Sequence, residues 1–382
     1  MSGGIYMLQP IINKKMTRQS KEVKNAQKAS KKYFNSKGDS KVKITKPAAG
    51  KWKTRMEKFV DLKQVTEISV TGNDDTAKVY KIDTAKDLIM ACDECQLTGC
   101  SGNGFPVSKK LEKIKKGKCR LIINAIECDP GLVHDSWIYR NYLDKVETGV
   151  KLLNRIFSFE DIVLATREPV TSKKYSFRQL KMINRFPMGY EKYLIMSVYG
   201  KEILPEETPI EHGMVVMNLQ TVLKIGELET GIVPGIRYIT VADIKHGIAK
   251  AVKAQNGQNI KEIAKKVFPN EKSKIYYGAG ALSCNEASSD TMLDNTTSFI
   301  GLGNMPSYKD AGKCVGCGKC SKVCPAGVSV KELIRFNETD KEMNKDNYKK
   351  FHTERCVYCG ACSYYCSAGK DTRGVVAWIK NA

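Results

Sequence analysis

Long apolar runs are missing from this 382-residue chain. No stretch approaches the roughly 18 consecutive apolar residues of a membrane-spanning helix, so no integral membrane segment is expected. The first residues also lack an apolar stretch followed by a small-residue cleavage site, so a secretory leader is not expected and a cytoplasmic setting is. Histidine is scarce: His134, His212, His246 and His352 are dispersed, and no nucleophile–His–acid arrangement stands out. Acidic residues are short as well, with 41 Asp/Glu against 63 Lys/Arg and a formal charge of +22. Apolar residues are not short. At 42% they suffice for a real core and exclude wholesale disorder, and the length fits two or three domains.

The excess charge sits at the front, where residues 1–60 hold 16 Lys/Arg against Glu22, Asp39 and Glu57. Few large apolar residues interrupt this stretch, so it reads as an arm that gains order only against a partner. Three readings stand: a solvated tail, a docking arm for an acidic redox partner protein, and a nucleic-acid contact. The last is disfavoured, because between Asn13 and Lys58 only Tyr33, Phe34 and Trp52 interleave aromatics with the basic residues, and no nucleic-acid partner is expected.

Fourteen cysteines in such a chain point to metal or redox chemistry more than to a disulfide frame. Eight follow residue 313. Cys314, Cys317, Cys320 and Cys324 have the spacing C-x2-C-x2-C-x3-C, repeated by Cys356, Cys359, Cys362 and Cys366. This is the run of two-cluster ferredoxins, in which three thiolates wrap one cubane and the fourth reaches the other. One [4Fe-4S] cluster is thereby assigned to Cys314, Cys317, Cys320 and Cys366. The second takes Cys356, Cys359, Cys362 and Cys324. Zinc modules use spaced pairs rather than two such quartets. The fourth Cys of each run is expected to begin a helix, and Ser367 stands where Pro usually follows the last Cys.

A second signal spans residues 96–135. A loop with Gly99, Gly102 and Gly104 runs into a basic segment, residues 107–116, read as a helix; Lys109 and Lys110 lie in its first turns. Backbone N–H groups of such a loop cradle a phosphate, although an isolated glycine loop can equally be a tight turn. An apolar strand, 121–126, then delivers Glu127 and Asp129 to its C-terminal end, where ligands bind in open α/β sheets. His134 beside Asp135 is read either as a contact to this pocket or as an unremarkable surface histidine.

The order of motifs resembles the C subunit of the Rnf electron-transport complex. The matching pieces are GNGFP at 102–106, LIINAIECDP at 121–130, GMVVMNLQTV at 213–222, YGAGAL at 277–282, TSFI at 297–300 and the two cysteine runs. The resemblance covers roughly residues 90–382. It implies an α/β fold: a complex I flavoprotein-like FMN-type domain, a small β-grasp domain and a C-terminal ferredoxin-like module with two [4Fe-4S] clusters. It also implies FMN held by Gly99, Gly102, Gly104, Lys110, Asn124, Glu127, Asp129 and Asn218, with NADH as substrate. The expected domains are a basic arm and leading segment at 1–75, the flavoprotein-like α/β domain at 76–228, the β-grasp at 229–300 and the ferredoxin module at 301–382. Within them, Ala242–Gln255 reads as a helix and YLIMSVYG at 193–200 as strand-like. The chain departs from the family pattern at Ser101-Gly102 and Gly189-Tyr190, where Tyr190 could stack on a flavin or obstruct one. The family's N-terminal lipoyl-like segment is not expected here, its place being taken by the basic arm.

Cys92, Cys95 and Cys100 precede the glycine loop and lie outside the ordinary Rnf pattern. They are read as redox thiols, as a third metal site completed by Cys128 or Cys119, or as buried thiols. They tilt the resemblance toward soluble Rnf C-like proteins of amino-acid reductase systems in anaerobes, D-proline reductase among them. The implied function is electron transfer from NADH through flavin and two clusters to reductase subunits, within a hetero-oligomer. A peripheral subunit of a membrane Rnf complex and a flavin-free relay adaptor are the alternatives.

Overall fold

The computed structural model describes residues 66–70, 77–182, 186–204, 207–304, 313–339, 348 and 350–381. The basic arm read at 1–75 therefore lies outside the described residues except at 66–70.

In chain order the first half comprises β1 (Ile68–Ser69), α1 (Ala85–Glu94), α2 (Val107–Leu111), β2 (Arg120–Ala125), α3 (His134–Phe157), β3 (Asp161–Thr166), β4 (Arg178–Lys181), α4 (Glu191–Tyr199), β5 (Met214–Asn218) and α5 (Leu219–Thr230). Then come β6 (Ile236–Asp243), β7 (Ile248–Gln255), α6 (Ile260–Val267), β8 (Ile275–Gly278), β9 (Cys284–Glu286) and β10 (Phe299–Leu302). The chain closes with α7 (Lys319–Val323), α8 (Val330–Thr339), α9 (Ala361–Tyr364) and α10 (Thr372–Asn381).

β2 to β5 form a sheet in the order β4-β3-β2-β5, and every pair is parallel. β2, β3 and β5 are almost continuously buried, as strands covered on both faces require, while the edge strand β4 buries only Leu180. The strand order reverses between β2 and β5, so the C-terminal ends of these neighbours open a crevice suited to a ligand. On one face α3 packs against α5 so closely that a Cβ on Gly149 would lie 2.0 Å from the Val222 carbonyl oxygen. α4 packs on the other face. The strand-like reading of 193–200 is therefore corrected: an eight-residue apolar run buried on all sides carries no periodicity to tell helix from strand. Gly200, left-handed at φ 71°, ends the helix.

The second sheet runs β1-β7-β6-β10-β8-β9. The antiparallel pair β6/β7, helix α6, and β10 parallel to β6 at the centre make the β-grasp. The helix expected at Ala242–Gln255 is instead the second half of this hairpin. Its Ala- and Lys-rich sequence suits a helix by propensity, yet Gly247 at φ 70° turns the chain and residues 248–255 largely alternate inward and outward. β1 joins the edge of this sheet beside β7, so part of the segment assigned to the leading region packs with the β-grasp. β10 ends at Leu302, two residues past the expected limit.

In the last module α7 and α9 carry the third Cys of each run, Cys320 and Cys362. Cys324 caps the C-terminus of α7, and Cys366 follows α9. The fourth Cys thus comes after the short helix and does not begin one, because Gly318 and Gly360, both left-handed, start each helix earlier.

Candidate functional site

A cavity of about 640 Å³ opens at the β2/β5 switch point, within the ~300–1,000 Å³ of small-molecule and cofactor sites. One wall is the glycine loop. Gly99 N–H donates to the Phe105 carbonyl and Val107 N–H to the Leu97 carbonyl, closing residues 97–107 on themselves. Gly102 sits at φ 86°, and a Cβ there would come 2.8 Å from the Ala279 Cβ. Only glycine both adopts this backbone and leaves room for the YGAGAL segment. α2 is shorter than expected, ending at Leu111; Lys113, Lys115, Lys116 and Lys118 crowd like charge into the turns that follow, which disfavours continuing the helix.

The other walls come from all three folded units. Asn124 at the end of β2 donates to the Gly189 carbonyl (2.8 Å) and accepts from Ile126 N–H (3.0 Å). Asn218 ends β5 and caps α5, accepting from Gln220 N–H at 2.9 Å. Lys110 spans to the Val216 carbonyl (2.8 Å) and Glu191 (3.2 Å). Asp129 accepts from Leu282 N–H of the β-grasp at 3.0 Å, and its burial pushes the carboxyl up to about 7. Tyr358, Cys359 and Arg373 of the cysteine module complete the enclosure, Arg373 also donating to the Leu282 carbonyl.

Of the residues expected to hold a cofactor, Gly99, Gly102, Lys110, Asn124, Asp129 and Asn218 line this cavity, whereas Gly104 and Glu127 do not. Glu127 lies behind the wall, 3% exposed, and accepts from the N–H groups of Asp135 (2.9 Å) and Ser136 (3.2 Å) at the start of α3. Burial holds Glu127 up near 7 and Asp135 well above the usual carboxylate range. His134 also points away, its Nδ1 2.9 Å from the Thr240 hydroxyl, and burial drops it to about 3, so it is neutral. Sequence reasoning missed Arg373 and Tyr358. Tyr358 replaces the glycine found at Gly316 in the first run, and both positions are left-handed, at φ 56° and 69°. A tyrosine at a position that favours glycine was the available signal; Arg373 had none.

The cysteines gather as the spacing requires. Cys324, Cys356, Cys359 and Cys362 line one small cavity. Cys320 lies within electrostatic reach of Cys362, Cys366 and Cys314. Burial pushes Cys320 and Cys324 up to about 12, so as bare thiols they stay protonated; a thiolate set packed this tightly needs cationic iron. Backbone N–H groups of Gly316, Tyr358 and Val328 point at the sulfurs of Cys314, Cys356 and Cys324 at 3.3–3.4 Å, the donor pattern that tunes Fe–S sulfur. The quartets therefore fit two cubanes, and the glycine-walled cavity with its lysine and paired asparagines fits a flavin phosphate.

Cys92, Cys95 and Cys100 are all buried. Burial pushes Cys92 up to about 12. Cys95 Sγ meets the Tyr80 hydroxyl at 3.2 Å. Cys95 and Cys100 line a second, small cavity with Lys224 and Arg237, and Cys100 is not among the residues facing the large one. Among the described residues, Glu127/His134/Asp135 and Asp243/His246/Glu271 each bring their ligand atoms within 4.8 Å of one another.

Residues 92–227 match the family described as the Nuo51 FMN-binding domain, and residues 308–370 match the 4Fe-4S dicluster domain. The chain joins an FMN-binding domain to a two-cluster iron–sulfur module. FMN and [4Fe-4S] clusters are its cofactors. It resembles the C subunits of ion-translocating oxidoreductases. The one from Buchnera aphidicola subsp. Baizongia pistaciae is 27% identical over 67% of this chain and 54% of that protein. The C subunit of the Na(+)-translocating ferredoxin:NAD(+) oxidoreductase complex of Acetobacterium woodii is 26% identical over 63% and 58%. The C subunit of the proton-translocating counterpart of Clostridium ljungdahlii is 27% identical over 69% and 61%. The chain thus spans a little over half the length of these relatives. An NAD+-reducing [NiFe]-hydrogenase in its H2-reduced state shares the fold, with a TM-score of 0.54 at 15% identity over 78% of this chain and 62% of that one. No helix among the described residues is long and apolar enough to cross a membrane.

Proposed function

We propose that this protein is an electron-transfer component that exchanges electron pairs with NADH and single electrons with a protein partner. The observation that carries the reading is the shared wall. Cys359, a ligand of the second quartet, lines the same cavity as the glycine loop and the β2/β5 crevice. FMN, when bound, supplies the conversion between hydride and single-electron chemistry. The chain's own residues hold and enclose it. Gly102 lets the loop approach, Lys110 and the asparagines order the polar end, and Asp129 and Arg373 tie the β-grasp and the cysteine module across the opening. Cys359 makes the second quartet the near end of the relay and leaves the first as the far end, toward the partner.

The partner we infer is a reductase of the D-proline reductase type, with the basic arm docking on an acidic face and Cys92, Cys95 and Cys100 serving transfer. The sequence resemblance and the thiol group support this reading. The relatives' descriptions favour a second one, a peripheral component of an ion-translocating complex. Anaerobic purification with iron, sulfide and FMN quantification, followed by NADH bleaching of the ~400 nm band, tests the first step; eight irons without FMN or bleaching would refute it. Affinity capture from membrane and soluble fractions separates the partners. Substituting each of the three thiols by Ser is expected to abolish transfer to the reductase while sparing both clusters.

A further inference from the structure

Tyr193 on α4 is 7% exposed, and its hydroxyl has no hydrogen-bond partner. A buried phenol without a partner is destabilising, so the position needs a reason. The ring lines the small cavity walled by Cys324, Cys356, Cys359 and Cys362. The hydroxyl lies within electrostatic reach of Cys359, Cys324 and Cys356. The other side chains of that cavity are apolar except Arg373, a donor already directed at the Leu282 carbonyl. The cysteine sulfurs are therefore the side-chain acceptors that line it, and none of them bonds the hydroxyl without a cluster. Tyr193 is also stacked on Tyr190, with centroids 6.1 Å apart and planes 23° apart, and Tyr190 lines the flavin cavity.

We propose that the Tyr193 hydroxyl donates a hydrogen bond to a sulfur of the second cluster and thereby raises that cluster's reduction potential above that of an otherwise identical site. The reduced cluster carries one more negative charge than the oxidised one. An O–H donor aimed at its sulfur consequently stabilises the reduced form more. Tyr193 acts as a tuning residue at the end of the relay facing the flavin. The proposal rests on the clusters being bound and not on which donor or acceptor is used.

The test is an anaerobic redox titration of full-length holoprotein, followed by EPR, for wild type and Tyr193→Phe. The expected result is that the second cluster's reduced-to-oxidised ratio at fixed potential falls about tenfold, which is ~59 mV for a one-electron couple. The first cluster should not move, and iron content should be retained. Placing 3-fluorotyrosine at position 193 keeps the shape and strengthens the donor, so it is expected to shift the same cluster the opposite way. This second variant decides the matter if the Phe variant fails to load iron. A second cluster whose potential is unmoved in a loaded variant overturns the proposal. Loss of NADH bleaching with an unaltered Tyr193 effect would count against the proposed function alone.

Discussion

Replacing Gly102 by Ala tests how the flavin cavity is built. Gly102 lies at φ 86°, and an added Cβ would stand 2.8 Å from the Ala279 Cβ and 3.1 Å from its Cα. Left-handed backbone costs an L-residue about 1–2 kcal/mol, and forcing a methyl into packed surroundings costs about 1–3 kcal/mol more. The sum, about 2–5 kcal/mol, pushes apart the glycine loop and the YGAGAL segment, two walls of the cavity. If the mid-range value falls wholly on cofactor affinity, FMN binds about 300-fold more weakly. Flavin-fluorescence titration of the apoprotein measures this, with the melting temperature recorded beside it. Adding Ala279→Gly removes the 2.8 Å Cβ contact but leaves the Cα at 3.1 Å and the backbone strain, so it should recover part of the loss. Gly102→Ala with wild-type FMN affinity and melting temperature would refute the reasoning, as would a failure of Ala279→Gly to recover anything.

Three further outcomes follow from the geometry. Cys324→Ser should eliminate the same EPR signal as Cys359→Ser, and Cys366→Ser the same as Cys317→Ser; pairing by run instead of across runs would overturn the ligand assignment. Gly149→Ala should cost about 3 kcal/mol or more, because the nearest atom, at 2.0 Å, is the Val222 carbonyl oxygen and backbone cannot rotate away; a melting temperature near wild type would contradict the α3/α5 contact. Asp129 is raised in the folded state to about 7, so the folded protein holds a proton that the unfolded chain releases at lower pH. Its contribution is fully present below pH ~4 and lost as pH rises to about 7, up to ~4 kcal/mol. Asp129→Asn should flatten the denaturation free energy of the apoprotein across that window relative to wild type, and equal slopes would exclude the effect.

Much of the site was legible because its chemistry is written in local spacing. The two quartets are short loops, and their ligand exchange follows from the spacing itself. The glycine loop and the strand after it placed Gly102 and Asp129 at a crevice from local pattern, and the family resemblance added Asn124. Other readings failed where tertiary surroundings outweighed local pattern. Residues 193–199 form a helix because the parallel sheet buries them on every side. Residues 248–255 form a strand because Gly247 turns the chain back onto β6. Glu127 carries the same motif signal as Asp129 but turns the other way, since the N-terminus of α3 supplies two N–H donors behind the wall.

By itself, the sequence determined the two cysteine quartets as runs, the glycine-lined loop and the α/β and ferredoxin order, because these depend on spacing and turn chemistry along the chain. Only the tertiary structure decided that Cys359, Tyr358 and Arg373 close the large cavity, and that Tyr193 lines the small one with Cys324, Cys356, Cys359 and Cys362. These groups are far along the chain from the glycine loop or sit on a different domain, and no local pattern encodes which surfaces three folded units bring together.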